Sequence, residues 1–360
     1  MLKVFKGWME RYFSDEEALI FLLLLISSFA IIIGFGPVLA PVFIAIIMAY
    51  LLQGGMNYCK SKGLGNLVST LIMFTLFIGI FMSLLFVIIP ATIAQAGQLF
   101  YELPKMLVQG QDLLMLLPER YPELITAAQI KEWIGQSGKE LASLGQWLLS
   151  FSLHSIPGAI TILIYLVLVP ILVFFFLKDG RVITQFLTSF LPKDRKLMNT
   201  IWAEMEVQIS NYIRGKVVEI IIIGGVTYIG FVAFGLRYAE LLAILVGLSV
   251  LVPYIGAAVV TVPIAAIAYF QFGYGETLFY CMLVYGIIQA LDGNVLVPLL
   301  FSEVVNLHPV AIIIAVLVFG GIWGFWGVFF AIPLATLAKA ILTAWPQAVK
   351  KTDALQSSCE

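Results

Sequence analysis

Residues 18–59 read "ALIFLLLLISSFAIIIGFGPVLAPVFIAIIMAYLLQGGMNYC", without one Asp, Glu, Lys or Arg. A bilayer core is about 30 Å thick and is crossed by roughly 20 apolar helical residues. The stretch is therefore too long for one crossing and long enough for two. The break between the two halves is "GFGP", where Gly34, Gly36 and Pro37 predict a chain reversal. Working outward, charge is also absent from 63–101, 141–177, 241–275 and 304–338. Of the 360 residues 61% are apolar and 11% charged, whereas a soluble domain is about half apolar and a quarter charged. Such a chain cannot cover itself in water. The reading is an all-α, polytopic helical membrane protein with about eight membrane segments. A soluble fold, a nucleic-acid binder and a disordered chain are excluded.

The segments follow from where charge returns. Residues 1–90 hold spans one to three, the third running from Leu67 to Ile89 and ending at Pro90. The start, "MLKVFKGWMERYFSDEEALIF", places acids before the first apolar run and reads as a retained amphipathic lead-in. Residues 91–155 are richer in charge, with apolar Leu99, Leu103, Met106 and Leu107 three or four apart. That spacing predicts an extracytoplasmic amphipathic helical segment. Span four covers 156–177 and stops at "FFFLKDGR". A cytoplasmic helical segment follows at 178–216, and 217–345 form the C-terminal membrane region. Residues 346–360 are a tail.

Lys and Arg set the sides. Segment 178–216 carries Lys178, Arg181, Lys193, Arg195, Lys196, Arg214 and Lys216. Segment 91–150 has more acids than bases. The N-terminus, 54–66, 178–216 and the C-terminus are expected in the cytoplasm. Arg214, Lys216 and Glu219 in "NYIRGKVVE" read as an interfacial entrance to span five, the basic side chains snorkelling to headgroups. Lys339 either snorkels or neutralises an acid.

Two apolar segments are interrupted. In 241–270, "VPYIG" places Pro253, Tyr254 and Gly256 mid-segment; in 309–345, "FGGIWGFWG" places Gly324 and Gly327 there. Gly256 precedes Pro263 by seven positions and Gly327 precedes Pro333 by six. Both are expected to fold as hairpins, with re-entrant or fully spanning arms both open. Paired Gly/Pro-broken segments point to a transporter's substrate site, because unwound backbone there can bind polar groups. Packed, kinked helices would read the same way. The aromatic residues Trp323, Phe325, Trp326, Phe329 and Phe330 read as packing or interface belt.

Between the breaks, Asp292 is the one charge from Glu276 to Glu303, flanked by Gln289 and Asn294. A carboxylate inside a span is costly and marks an ion or solute pathway. It could instead cap a helix end near water at Gly293. His308 starts the last pair, as a helix-start hydrogen-bonder or a ligand. Cys59, Cys281 and Cys359 have no metal-type spacing, and neither HExxH nor a phosphate loop occurs. No cofactor or catalytic residue is expected, and the chain does not read as an enzyme.

The blocks "FFFLKDG" (174–180), "NYIRGKVVEIIIIGGVTYIGFVAFGL" (211–236), "LVGLSVLVPYIG" (245–256), "QALDGNVLVPLLFSEVVNLHPV" (289–310) and "FGGIWGFWGVFFAIPLATLAKAIL" (319–342) resemble the autoinducer-2 exporter family, its PerM-type permeases in particular. The resemblance implies a multi-pass inner-membrane transporter and homo-oligomers, pentamers among them. It also implies export of a small polar signalling molecule or Na⁺(Li⁺)/H⁺ antiport. Pro253, Tyr254, Gly256, Gln289, Asn294, Pro298, His308 and Pro309 are the shared-motif positions. Expected partners are a small polar solute or cation and membrane lipid. A non-transporting oligomeric scaffold is the reading from a different class.

Overall fold

The computed structural model describes residues 16–114, 155–192, 195–253, 255–301, 307–341 and 343. Expectations that fall on the first 15 residues, on 115–154, on Tyr254 or on the C-terminal tail lie outside those residues. Every regular element among the described residues is helical. Eight stretches are long and apolar enough to cross a membrane: Leu19–Gly36, Val38–Ser61, Asn66–Gly110, Leu163–Ser189, Lys196–Ala233, Ile255–Phe272, Glu276–Phe301 and Pro309–Phe329.

The first two stretches belong to one helical run, α1 (Glu16–Ser61). The loop expected at "GFGP" is absent, since helical hydrogen bonding continues through it. Glu17 accepts a hydrogen bond from the Met198 amide at 2.9 Å, and Ile47 packs in one cluster with Tyr212 and Ile213. At Gly36, between the two, an added Cβ would sit 2.7 Å from Trp323 Nε1.

Helix α2 (Asn66–Ser83) does not end its path at Pro90. It passes through a π-helical turn (Leu84–Ile88) into α3 (Ile89–Leu114). The wider turn gives proline's missing N–H and bulky ring room inside a continuing helix. Beyond it the amphipathic face that the spacing predicts packs Ala96 and Leu99 on the core. Gln95 accepts from the Leu241 amide at 3.0 Å, and Glu102 pairs with Arg237 at 3.4 Å.

Charge also fails to stop α4 (Ser155–Ser189) at "KDGR"; the helix runs three turns further. Likewise the polar 196–216 stretch and the fifth span are one helix, α5 (Lys196–Ala233). At 38 residues it is about 57 Å long, so it crosses a bilayer and projects beyond it. Helices α1, α2 and α4 share one core around Ala45, Phe77 and Val173.

The C-terminal half is built on α5. Helix α6 (Ala239–Ser249) lies against it where Gly224 and Gly247 meet. An added Cβ on Gly247 would be 3.0 Å from Ile220 O, so two glycines bring the backbones together, as in many membrane-helix contacts. A turn at 250–253 separates α6 from α7 (Ile255–Phe272). Helix α8 (Glu276–Leu291) continues through a π-helical turn (Asp292–Leu296) into the short α9 (Val297–Phe301). The second interrupted segment carries α10 (Pro309–Phe329) and α11 (Ala331–Ile341). Its break lies inside α10, at Gly324, with φ 59° and ψ −134°, a region essentially restricted to glycine. Large apolar side chains such as Phe35, Val38 and Val262 remain exposed. Facing lipid, they need no further cover.

Candidate functional site

The two hairpin tips have the same construction. An added Cβ on Gly256 would overlap the Ser249 carbonyl oxygen, and one on Gly327 the Phe319 carbonyl oxygen. In each, a glycine seven or eight residues on lets the second arm fold directly onto the first. The first tip packs on the arms flanking the second break: Leu251 with Ile312, Phe329 and Ile332, and Val252 with Val316 and Ala331.

Where the helices unwind, backbone carbonyls lose their helical partners, and lipid cannot supply replacements. Helix α5 does. Tyr212 Oη donates to Phe329 O at 2.9 Å, and Lys216 Nζ donates to Val250 O at 2.8 Å. Residues four apart share a helix face, so one face of α5 holds both tips. Removing the hydroxyl in Tyr212→Phe leaves Phe329 O without that donor. A loss of about 1–3 kcal/mol is expected, read as a lower unfolding midpoint of the purified protein in detergent. An unchanged midpoint would mean that the bond does not fasten this tip.

Lys216 also pairs with Glu219 at 2.7 Å and lies 5.1 Å from the centre of the Phe301 ring. That ring comes so close because residue 215 is glycine; a Cβ there would be 2.6 Å from it. Lys216 and Glu219 are only 4% and 1% exposed. The snorkelling expected of Lys216 is thus overturned, since its ammonium turns into the protein. Arg214, two residues earlier on another face, is exposed.

Lys216, Glu219, Tyr212 and Phe301 line a cavity of about 600 Å³ between α5, the first tip, the α8–α9 π-turn, the start of α10 and Ile332 of α11. Asp292 opens that turn and lines the cavity at 9% exposure, and among the described residues its Oδ1 has no hydrogen-bond partner. The water-facing cap expected as the alternative is therefore not what it forms. Lys216 and Glu219 lie within electrostatic reach of it. Gln289, one turn earlier, also lines the cavity. Its Nε2 donates to Tyr285 Oη at 2.9 Å, and that hydroxyl meets Thr261 Oγ1 at 3.0 Å.

The other positions singled out from sequence are distributed around this space. Pro253 lines it directly. Gly256, Gly324 and Gly327 shape the tips. Asn294 is exposed and donates to Ala290 O at 2.8 Å on its own helix. His308 caps α10, its Nδ1 accepting from the Val310 amide at 3.3 Å, while its neighbours Leu307 and Pro309 reach the cavity. Tyr254 lies outside the described residues. Tyr212 and Glu219 were not singled out as site residues, nor was Lys216. The available signal was their i, i+4, i+7 spacing, which puts all three on one helical face.

Comparison with known proteins places this geometry. The model of the AI-2E family transporter matches residues 19–347. PerM of Escherichia coli (strain K12), which carries a permease name, is 48% identical over 346 residues, 96% of this chain and 98% of its own. YueF of Bacillus subtilis (strain 168), which carries a transport-protein name, is 28% identical over 83% of this chain and 82% of its own.

Proposed function

Since this chain belongs to the AI-2E transporter family, we propose that it moves a small polar solute across the cell inner membrane through the cavity between α5, the first hairpin tip, Asp292 and the start of α10. The multi-pass architecture and the relatives' names support transport as the activity rather than catalysis. One observation carries the site: Asp292 lines the cavity, and among the described residues its buried Oδ1 has no hydrogen-bond partner. A buried carboxylate oxygen left unpaired is destabilising. It is explained by a transient partner, the cargo or its coupling ion.

In this reading the tips are the moving parts. The Lys216–Val250 and Tyr212–Phe329 hydrogen bonds close the cavity, and releasing one of them at a time opens it to one side. The N-terminus, 178–216 and the C-terminus face the cytoplasm on the Lys and Arg distribution. An autoinducer-2-like solute follows from the family resemblance. Na⁺(Li⁺)/H⁺ antiport is the second reading, favoured by the same free carboxylate oxygen.

Flux in proteoliposomes tests the proposal. Asp292→Asn keeps size and shape but removes the charge, so transport should fall at least about tenfold, about 1.4 kcal/mol. The unfolding midpoint should not drop. Wild-type flux by this variant across a panel of solutes and cations would remove Asp292 from the pathway.

A further inference from the structure

The charge and acceptor inventory of the cavity selects among solutes. Lys216 and Glu219 neutralise each other at 2.7 Å, which leaves Asp292 as the uncompensated charge on the wall. The hydrogen-bond donors there are largely engaged already. Tyr212 Oη is held by Phe329 O, two of the three Lys216 donors by Glu219 and Val250 O, and Gln289 Nε2 by Tyr285. Acceptors on the wall include the carboxylates of Asp292, which is 9% exposed, and Glu219 and the side-chain carbonyl oxygen of Gln289. The remaining wall is apolar, with Val252, Phe301, Ile312 and Ile332.

A cavity of about 600 Å³ falls within the range of small-molecule sites, roughly 300–1,000 Å³. An ammonium group needs only one to three acceptors.

We propose that the cavity recognises a protonated primary amine on a small apolar body, its N–H groups docking on the Asp292 carboxylate with the alkyl part against Val252, Phe301 and Ile312. The inference deepens the transport reading and rests on it for the occupant's role as cargo. An anionic head would meet Asp292 without a free cation to offset it. A neutral alcohol has one donor and no charge.

Binding to the full-length protein in phosphatidylcholine nanodiscs, followed by calorimetry, tests it with n-butylammonium, n-butanol and butyrate, three heads on matched bodies. Butylammonium should bind at least about tenfold tighter than butanol, and butyrate should not bind. Asp292→Asn should erase the difference while butanol binding stays as it was. Equal binding of amine and alcohol would overturn the proposal, as would a preference that survives Asp292→Asn or a preference for butyrate. Adding phosphatidylethanolamine to the discs separates two sources of the same head. Competition by that lipid assigns the ammonium to a lipid headgroup, and no competition to a free solute; either supports ammonium recognition. Flux of neutral polyols with no amine binding would sink this inference and leave transport standing. Asp292-dependent amine binding without flux of any solute or cation would do the reverse.

Discussion

Replacing Lys216 with Met should destabilise the protein by about 3–5 kcal/mol, the range for breaking one partner of a buried ion pair. Met matches the length of the lysine stem but carries no charge. Two groups are then stranded at once. Glu219, 1% exposed, loses its counter-ion, and Val250 O loses its donor where the first tip unwinds. The comparison that isolates the charge is the double variant Lys216→Met/Glu219→Leu. Replacing a whole buried pair by apolar residues is often neutral or stabilising, so the double variant should recover most of the loss. What remains measures the Val250 contact. Unfolding midpoints in mixed detergent micelles provide the readout. A single variant as stable as the parent would show that the pair does not hold this region together.

The second large effect is expected at the tips. Gly256→Ala and Gly327→Ala each add one methyl group, and each places it on a backbone carbonyl of the opposing arm. Overpacking in a tight core commonly costs about 1–3 kcal/mol. Here the obstacle is backbone rather than the end of a flexible side chain, so about 3 kcal/mol is expected at each site. Because Leu251 and Val252 of the first tip pack on Phe329 and Ala331, just past the second break, opening the second should also loosen the first. Accessibility of a cysteine placed at Ser249 should therefore rise in Gly327→Ala, although the substitution is in the other hairpin. Gly286 gives the control. It has open space around it, and Ala there should be neutral or stabilise by about 0.5–1 kcal/mol through helix propensity. Equal behaviour of Gly286→Ala and Gly256→Ala would refute the close-approach reading.

The legibility of this protein follows the range of the forces involved. Spans were readable because the bilayer demands apolar length, a local property of sequence. Asp292 stood out because a charge in an apolar run is conspicuous whatever its surroundings. Gly256, Gly324 and Gly327 were readable as breaks because glycine and proline act on the backbone where they stand. Helix ends were read less well. Charge at "KDGR" and proline at Pro90 suggested ends, yet α4 runs on into water and the π-turn absorbs Pro90. A helix ends when its backbone hydrogen bonds find a better alternative, and neither position offers one. Lys216 shows the same limit. Its place near the polar stretch of α5 suggested the interface, while its rotation about the helix axis directs it inward.

Sequence alone therefore determined the solvent of this protein, its apolar segments, the two places where apolar helices break and the one acid between them. Tertiary structure decided that the first break packs on the arms of the second, that a single face of α5 holds both through Tyr212 and Lys216, and that Glu219 rather than Asp292 takes the lysine. Hydropathy and spacing act along the chain, within a few turns of helix. Which face a helix presents to a distant one is settled by packing across the whole fold, and there, among the described residues, Asp292 Oδ1 has no hydrogen-bond partner.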